Sequence, residues 1–499
     1  MDHLIHFLIA LILLVLFFVA DYFRRKYYNL PPTIFPCLPV IGHLYLLKQP
    51  LYRSLFEIAA KHGPILYLRF GTHRILLISS PSLTEECLIK NDIIFANRPR
   101  WLYGKILASN YTNLSWAQYG THWRNLRRIS TIEIFSTTRM NEFQEVRVEE
   151  GTHLVRKLVS ESSSPVYLRP IFHHITFNIL IRLISGERYF GRELEEKREQ
   201  FHEIVKEMFK VGDLLNMEDH LPILRWLGMN GLERKMTKLQ EKRNAYFQAL
   251  IDELRKVKDE EDENKKKNTM IAVLFRLQKS DPDYYNDKLI KIFLLNLLAA
   301  GTDGPVSTME WAFSLLLNHP DVLEKAQNEI DKVVGKERLV NESDIANLPY
   351  LRCVVSETLR LYPPTPLLLP HQSTEDCVVG GYHVPRGTVL LVNQWGIQHD
   401  PKVWSDPERF DPERFVGFEA SKDRFRLMAF GAGRRACPGE LLAMRMIWLT
   451  MGLLIQCFDW ERTTEELIDL NEGLGLTMPK AQPLVAKCTP RSMTQSLVS

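Results

Sequence analysis

The residues with the clearest chemical potential lie near the C-terminus, in Phe430-Gly431-Ala432-Gly433-Arg434-Arg435-Ala436-Cys437-Pro438-Gly439, a stretch of the form F-x-x-G-x-R-x-C-x-G. Glycines here permit tight turns and let backbone N–H groups approach a sulfur atom, and a helix is expected to start just after Pro438. Those features, with Arg435 nearby, favour an anionic thiolate at Cys437. The chain's other cysteines (37, 87, 353, 377, 457 and 488) are scattered without a CxxC pair, which argues against a disulfide framework or a structural zinc site. Their default reading is as small buried hydrophobes.

Two further spacings place charged groups together. Glu357 and Arg360 in Glu357-Thr358-Leu359-Arg360 stand at i,i+3 and share a helix face. Trp123 and Arg127 in Trp123-Arg124-Asn125-Leu126-Arg127-Arg128 stand at i,i+4 and do the same. Taken alone, the first pair reads equally as a surface ion pair and the second as an interfacial helix.

The elements that must hold these groups are mainly helical. Residues 65–70 and 74–78 read as a hairpin around Gly71-Thr72-His73, and helical periodicity dominates from Pro81 to Tyr362. The longest helical pattern covers residues 285–318, bounded by Pro282 and His319-Pro320. After Pro363 the pattern turns to β: Val378-Val379, a Gly380-Gly381 turn, then residues 382–393 as strand. A last helix follows Pro438. The block Asp259-Glu260-Glu261-Asp262-Glu263-Asn264-Lys265-Lys266-Lys267 reads as a solvated loop. No internal repeat is present, so the expectation is one α-rich body with small sheets.

With 499 residues, 45% of them hydrophobic, the chain supports a large core, and 63 Lys+Arg against 60 Asp+Glu is too balanced for a nucleic-acid binder. Residues 4–20 carry no charge and one polar residue, His6, a run just long enough to cross a bilayer core. Asp2 and His3 precede it while Arg24, Arg25 and Lys26 follow, the reverse of a cleaved signal peptide. By the positive-inside rule the remaining chain faces the cytosol. The expected organisation is a membrane anchor over residues 1–23, a basic and Pro-rich extended spacer over 24–44, and the body over 45–499.

On the cysteine loop, the E-x-x-R element and Pro412-Glu413-Arg414-Phe415, the sequence resembles the cytochrome P450 superfamily along nearly its whole length. The anchor, the Pro-rich hinge, Trp404-Ser405-Asp406-Pro407 and Arg360-Leu361-Tyr362-Pro363-Pro364 resemble plant microsomal members, particularly those acting on isoflavonoids and lignans. The resemblance implies the P450 fold, haem b as cofactor and Cys437 as the axial ligand of its iron. It implies that Trp123, Arg127, His371 and Arg435 bind the haem propionates, that Phe430, Gly433 and Gly439 shape the ligand loop, and that Glu357, Arg360 and Arg414 form a charge network behind the haem. It also implies an endoplasmic reticulum membrane location, oxidation of a small apolar or aromatic substrate, and electrons from an NADPH-dependent P450 reductase. A complete GxGxxG nucleotide loop is missing, Gly473 and Gly475 lacking the third glycine, so NADPH acts only through that partner. Arg128, Lys422, Arg424 and Arg434 are candidates for its docking face.

One stretch departs from the family. The oxygen-activating segment reads Ala300-Gly301-Thr302-Asp303-Gly304-Pro305, where Thr302, Asp303 and Gly304 occupy the catalytic positions. Gly304 replaces the usual threonine, and Pro305 offers no N–H to the Gly301 carbonyl, so the helix is expected to open locally. Two outcomes remain open: ordinary hydroxylation, with water or a substrate hydroxyl relaying protons, and closure of a methylenedioxy bridge on an ortho-methoxyphenol. A reductase-independent haem-thiolate isomerase and a non-catalytic haem protein are the rival classes. Substrate would lie among residues 101–113, 208–227, 296–300, 365–369 and 474–477.

Overall fold

The computed structural model describes residues 2–161, 165–186, 192–260, 269–418 and 423–498. The acidic-to-basic block therefore lies largely outside the described residues: the helix Gly231–Glu260 takes in Asp259 and Glu260, and 261–268 are not described. Lys422 is also outside them.

Helix α1 (Asp2–Tyr27) contains the expected apolar run, with Arg24, Arg25 and Lys26 in its last turn. Three helices among the described residues are long and apolar enough to cross a membrane, but those at Asp287–Asn318 and Glu440–Cys457 are largely buried, while α1 presents its apolar side chains unburied. The link that follows is short and seated. Asn29 donates through Nδ2 to the Gly381 carbonyl at 3.0 Å. The Asn29 carbonyl accepts from His383 N at 3.0 Å, and the Pro32 carbonyl from Tyr67 N at 2.7 Å. Thr33 Oγ1 donates to the Tyr67 carbonyl, and Ile34 and Cys37 are buried. The Pro-rich stretch is extended, but it is docked along the first strand rather than acting as a free spacer.

Strands β1 (Ile65–Phe70) and β2 (His73–Ile78) form the expected antiparallel hairpin. With β3 (His371–Gln372) and β4 (Val389–Val392) they make a four-stranded sheet in the order β1-β2-β4-β3, with β2 and β4 parallel and Ile75 opposite Val389. The strand expected over 382–393 is two strands in two sheets. Tyr382–Val384 pairs with Cys377–Val379 across a turn in which Gly380 and Gly381 take φ +58° and +81°. Pro385 and Gly387, the latter at φ +80°, then break the run before β4. A third sheet of Val166–Tyr167, Val485–Pro490 and Phe458–Arg462 was not foreseen.

Helices build the core. Helix α2 (Thr121–Arg128) carries Trp123 and Arg127, and α3 (Leu168–Ser185) packs on the long α4 (Asp287–Asn318). Asn286 caps α4, its side chain accepting from Leu289 N at 3.1 Å, so the helix starts two residues after the position expected. At about 1.5 Å per residue α4 is roughly 48 Å long, and Trp311 near its end stacks on Tyr362 with centroids 3.8 Å apart. Helix α5 (Pro349–Leu361) and helix α6 (Glu440–Cys457) complete the frame. The expected opening of α4 at Pro305 does not occur: the helical path is continuous, and the departure is confined to the hydrogen bond Pro305 cannot give Gly301.

Candidate functional site

The cysteine loop is folded by its own backbone. Cys437 N donates to the Phe430 carbonyl at 2.8 Å, and Ala436 N donates to Gly433 O at 3.1 Å. Gly433 has φ +67°, and a Cβ there would stand 2.2 Å from the Leu88 carbonyl oxygen. Asp92 pins the next residue, accepting from Arg434 N and pairing with its Nε, both at 3.0 Å. Gly433 thus positions the loop and does not line the cavity described below. Gly433→Ala is expected to cost about 1–3 kcal/mol through backbone strain and collision. It should appear as a lower unfolding midpoint with less haem retained, and an unchanged midpoint would show that the loop relaxes freely.

Cys437 is exposed, but towards an internal cavity. Burial pushes its thiol up, opposed by the backbone N–H groups of Gly439 and Glu440 at the start of α6 and by the Arg127 cation. The Gly439 and Glu440 N–H groups and Arg127 are the features here that favour the thiolate form. A metal cation at the sulfur would supply the missing charge.

The cavity, about 330 Å³, brings together Cys437, Phe430, Gly439, Trp123, Arg127, His371, Arg435, Asp303 and Gly304. It also contains Arg98, which sequence reading did not single out. Arg98 is buried and donates to the carbonyls of Ser115 (3.0 Å), Leu369 and Pro370 (both 2.8 Å). Arg435 donates to the carbonyls of Ala96 (2.7 Å), Ala117 (2.6 Å) and Leu114 (3.3 Å) and lies over the Trp123 ring at 4.5 Å. Arg127 reaches the Ala436 carbonyl, and Trp123 Nε1 donates to Leu114 O at 3.1 Å. His371, on β3, meets the Phe95 carbonyl through Nδ1 at 2.8 Å, and burial pushes its pKa well below the usual histidine range.

Among the described residues, Arg98, Arg127 and Arg435 make no salt bridge. Burial pulls the Arg98 pKa down to about 9 and, with the Arg98 and Arg127 cations adding to it, that of Arg435 down to about 8. Cations that are buried, as Arg98 is, or half-buried, as Arg127 and Arg435 are, cost free energy without counter-charge unless an anion joins them. Three such cations around an apolar cavity floored by a thiol fit a haem whose propionates meet the arginines and whose iron meets Sγ.

On the opposite wall α4 presents Asn296, Ala299, Ala300, Asp303, Gly304, Pro305 and Thr308. Thr302, expected among the catalytic positions, does not line the cavity; it is buried, with Oγ1 donating to the Leu298 carbonyl at 2.7 Å. Burial raises the Asp303 carboxyl to about 6, the Thr477 hydroxyl and Arg169 working against the rise. No heavy atom lies within 4 Å of a Cβ built on Gly304. Other wall residues include Tyr103, Phe209, Leu297, Leu369 and Leu476, one from each expected substrate segment, and Phe293, which lies outside them. Trp226, Leu227 and Leu474, within those segments, are instead exposed at the surface.

Behind the cavity, Glu357 and Arg360 are fully buried. Glu357 accepts from Arg360 Nε (2.6 Å) and Nη2 (2.8 Å), from Arg414 Nε (3.0 Å) and from Asp411 N (3.0 Å). Arg360 also donates to the Gln398 carbonyl at 2.7 Å. Glu357, Arg360 and Arg414, grouped by the family resemblance, thus form a connected cage between α5 and the turn Pro412–Phe415.

The cytochrome P450 family model matches residues 32–485. The chain is 47% identical over 474 residues to isoflavone 3'-hydroxylase of Medicago truncatula, covering 93% of each. It is 46% identical over 476 residues to (+)-piperitol/(+)-sesamin synthase of Sesamum radiatum, covering 94% of this chain and 92% of the relative. A solved zebra fish cytochrome P450 with progesterone superposes with a TM-score of 0.77 at 26% identity, over 89% of this chain and 100% of that one.

Proposed function

The chain belongs to the cytochrome P450 family, and we propose that it hydroxylates an apolar aromatic plant metabolite of the phenylpropanoid, isoflavonoid or lignan kind. It is a haem-thiolate monooxygenase of plant specialised metabolism. The observation that carries the substrate reading is the cavity wall over Cys437, where aliphatic and aromatic side chains surround a few polar groups, among them Ser115, Asn296, Asp303, Thr365 and Thr477. Ser115 Oγ bonds Asn296 Oδ1 at 2.9 Å, leaving the Asn296 amide N–H groups as handles for a substrate oxygen.

When bound, haem supplies reductive activation of O2 and insertion of one oxygen atom into the substrate. This chain's residues do the rest. Arg98, Arg127 and Arg435 would hold the propionates, with Trp123 packed against Arg435, and Cys437 Sγ would hold the iron. The apolar wall excludes water from the reacting region, and Asp303 is the acid able to release a proton near neutral pH. Electrons come from NADPH through a flavoprotein reductase on the same membrane, docking on the Arg128 and Arg424 side; Arg434 contributes less because Asp92 neutralises it. We place the body on the cytosolic face of the endoplasmic reticulum, anchored by α1, with residues 45–499 forming the catalytic domain.

A second reading has its own support. The space at Gly304, and a relative named for (+)-piperitol and (+)-sesamin, compounds that carry methylenedioxy rings, favour bridge closure on an ortho-methoxyphenol. Reconstitution with reductase and NADPH against a panel of phenolic and terpenoid substrates tests both readings. NADPH-independent turnover would favour an isomerase, and haem binding without any turnover a non-catalytic role. A Cβ at position 304 meets no neighbour, and Gly304→Thr is expected to change the ratio of bridged to hydroxylated product, or the product formed per NADPH, by about fivefold, the size of a 1 kcal/mol change in barrier. Unchanged products and unchanged coupling would remove mechanistic meaning from the departure.

A further inference from the structure

Two amide side chains on the cavity wall have their oxygens held by the same short stretch of chain. Asn296 Oδ1, on α4, accepts from Ser115 Oγ at 2.9 Å, and Asn113 Oδ1 accepts from Trp116 N at 2.8 Å. Both residues line the cavity, and neither NH2 group has a partner among the described residues. An amide anchored through its oxygen turns its two N–H donors towards its surroundings. Ser115 is fixed in turn. Its carbonyl accepts from Arg98 Nε at 3.0 Å, and the Arg98 carbonyl accepts from Gln118 Nε2 at 2.8 Å. The stretch 113–118 that orients Asn296 therefore hangs on a buried cation, the one assigned above to the propionates.

The same face of α4 also sets a distance. Ala300 and Gly304 follow Asn296 at i+4 and i+8, hence on one side of the helix, and both line the cavity. Eight residues at about 1.5 Å each put Gly304 roughly 12 Å along the axis from Asn296. Between them Ala299 and Ala300 offer the cavity methyl groups and no hydrogen-bonding side chain. A ligand with one end at the Asn296 amide and the other beside Gly304 is then about 10–12 Å long. That is the span of two linked ring systems, and a single ring does not cover it.

We propose that Asn296 is a specificity-determining residue whose amide donates to an oxygen on the ring remote from the one oxidised. The substrates are then aromatic compounds of two ring systems, the remote one carrying a hydroxyl or methoxy oxygen that accepts the bond. The inference rests on the monooxygenase reading above and narrows its substrate class. Ser115 acts through Asn296 as a positioning residue, and Asn113 adds a second donor to the same wall. A hydroxyl and a methoxy oxygen both accept, so a site of donors takes either and disfavours the ring that has neither.

The test uses the haem-loaded, full-length protein and three isoflavones that differ only on the fused ring. At the position farthest from the pendant ring they bear a hydroxyl, a methoxy group or hydrogen. Binding is read without reductase, from the change in the haem absorption band as ligand enters. The wild type is expected to bind the first two alike and the third about tenfold more weakly, the size of one lost hydrogen bond. Asn296→Leu should bind all three alike, at the level of the third. Asn296→Asp, nearly isosteric, carries the test if the leucine variant loses haem: its carboxylate only accepts, so it should favour the hydroxyl over the methoxy compound. Ser115→Ala should lower the wild-type preference and Ser115→Thr keep it. Wild-type indifference to the remote oxygen, binding of none of the three, or an undiminished preference in Asn296→Leu or Ser115→Ala would each overturn the proposal. The expected preference without any NADPH-dependent oxidation would instead strike the monooxygenase reading and leave the recognition standing.

Discussion

Cys437→Ala is expected to abolish the thiolate-specific carbon monoxide difference band of the reduced protein, together with all NADPH-dependent turnover. The sulfur is the only soft ligand the loop offers the cavity, and every feature around it serves its placement: the Cys437 N to Phe430 O bond, the Gly433 turn against Leu88, and the N–H groups of Gly439 and Glu440 that face it. A thiolate bound to iron is the source of that band, so removing the sulfur removes it. Residual haem held by Arg98, Arg127 and Arg435 would be spectrally distinct. A variant that kept the wild-type band would sink the assignment of Cys437 as iron ligand.

The second large effect is structural. Glu357→Gln is expected to destabilise the folded protein by about 3–5 kcal/mol, seen as loss of yield and a marked fall in unfolding temperature. Glu357 receives four donors in a site sealed from water. Glutamine would turn an NH2 group towards the guanidinium groups of Arg360 and Arg414, leaving both cations buried without a counter-charge. Glu413, in the same Pro-Glu-Arg-Phe turn, provides the control. It pairs with Lys325 at the surface, both side chains more than half exposed, so Glu413→Gln should cost less than about 1 kcal/mol. Equal behaviour of the two variants would mean that the cage contributes nothing beyond an ordinary ion pair.

Local rules put residues whose partners are near in sequence on common faces, and the family resemblance gave those faces their roles. The cysteine loop, Glu357 with Arg360, and Trp123 with Arg127 are short spacings, and the 65–78 hairpin and the two core helices are strong periodicities. Groups defined by the packing of distant segments stayed hidden. Arg98, in Asn97-Arg98-Pro99-Arg100, has no periodic partner, and only burial beside Leu369 and Pro370 distinguishes it from Arg100. Thr302 looked catalytic by position, but its side chain returns to its own helix, as threonines in helices do. The third sheet escaped notice although Phe458–Arg462 alternates buried and exposed residues, because it follows directly on α6.

The docked link after α1 limits how the body can move. Between Tyr27 at the helix end and the seated Asn29 and Pro32 there is almost no slack, on the order of 10 Å at full extension. With α1 in a bilayer, the cavity is held at a nearly fixed height above the lipid. Encounter with any partner on the same membrane, and with any lipid-soluble ligand, would then be governed by surface density and lateral diffusion in two dimensions, not by bulk concentration. A Michaelis constant expressed per volume of buffer would measure how the substrate partitions into the lipid as much as how well the cavity binds it.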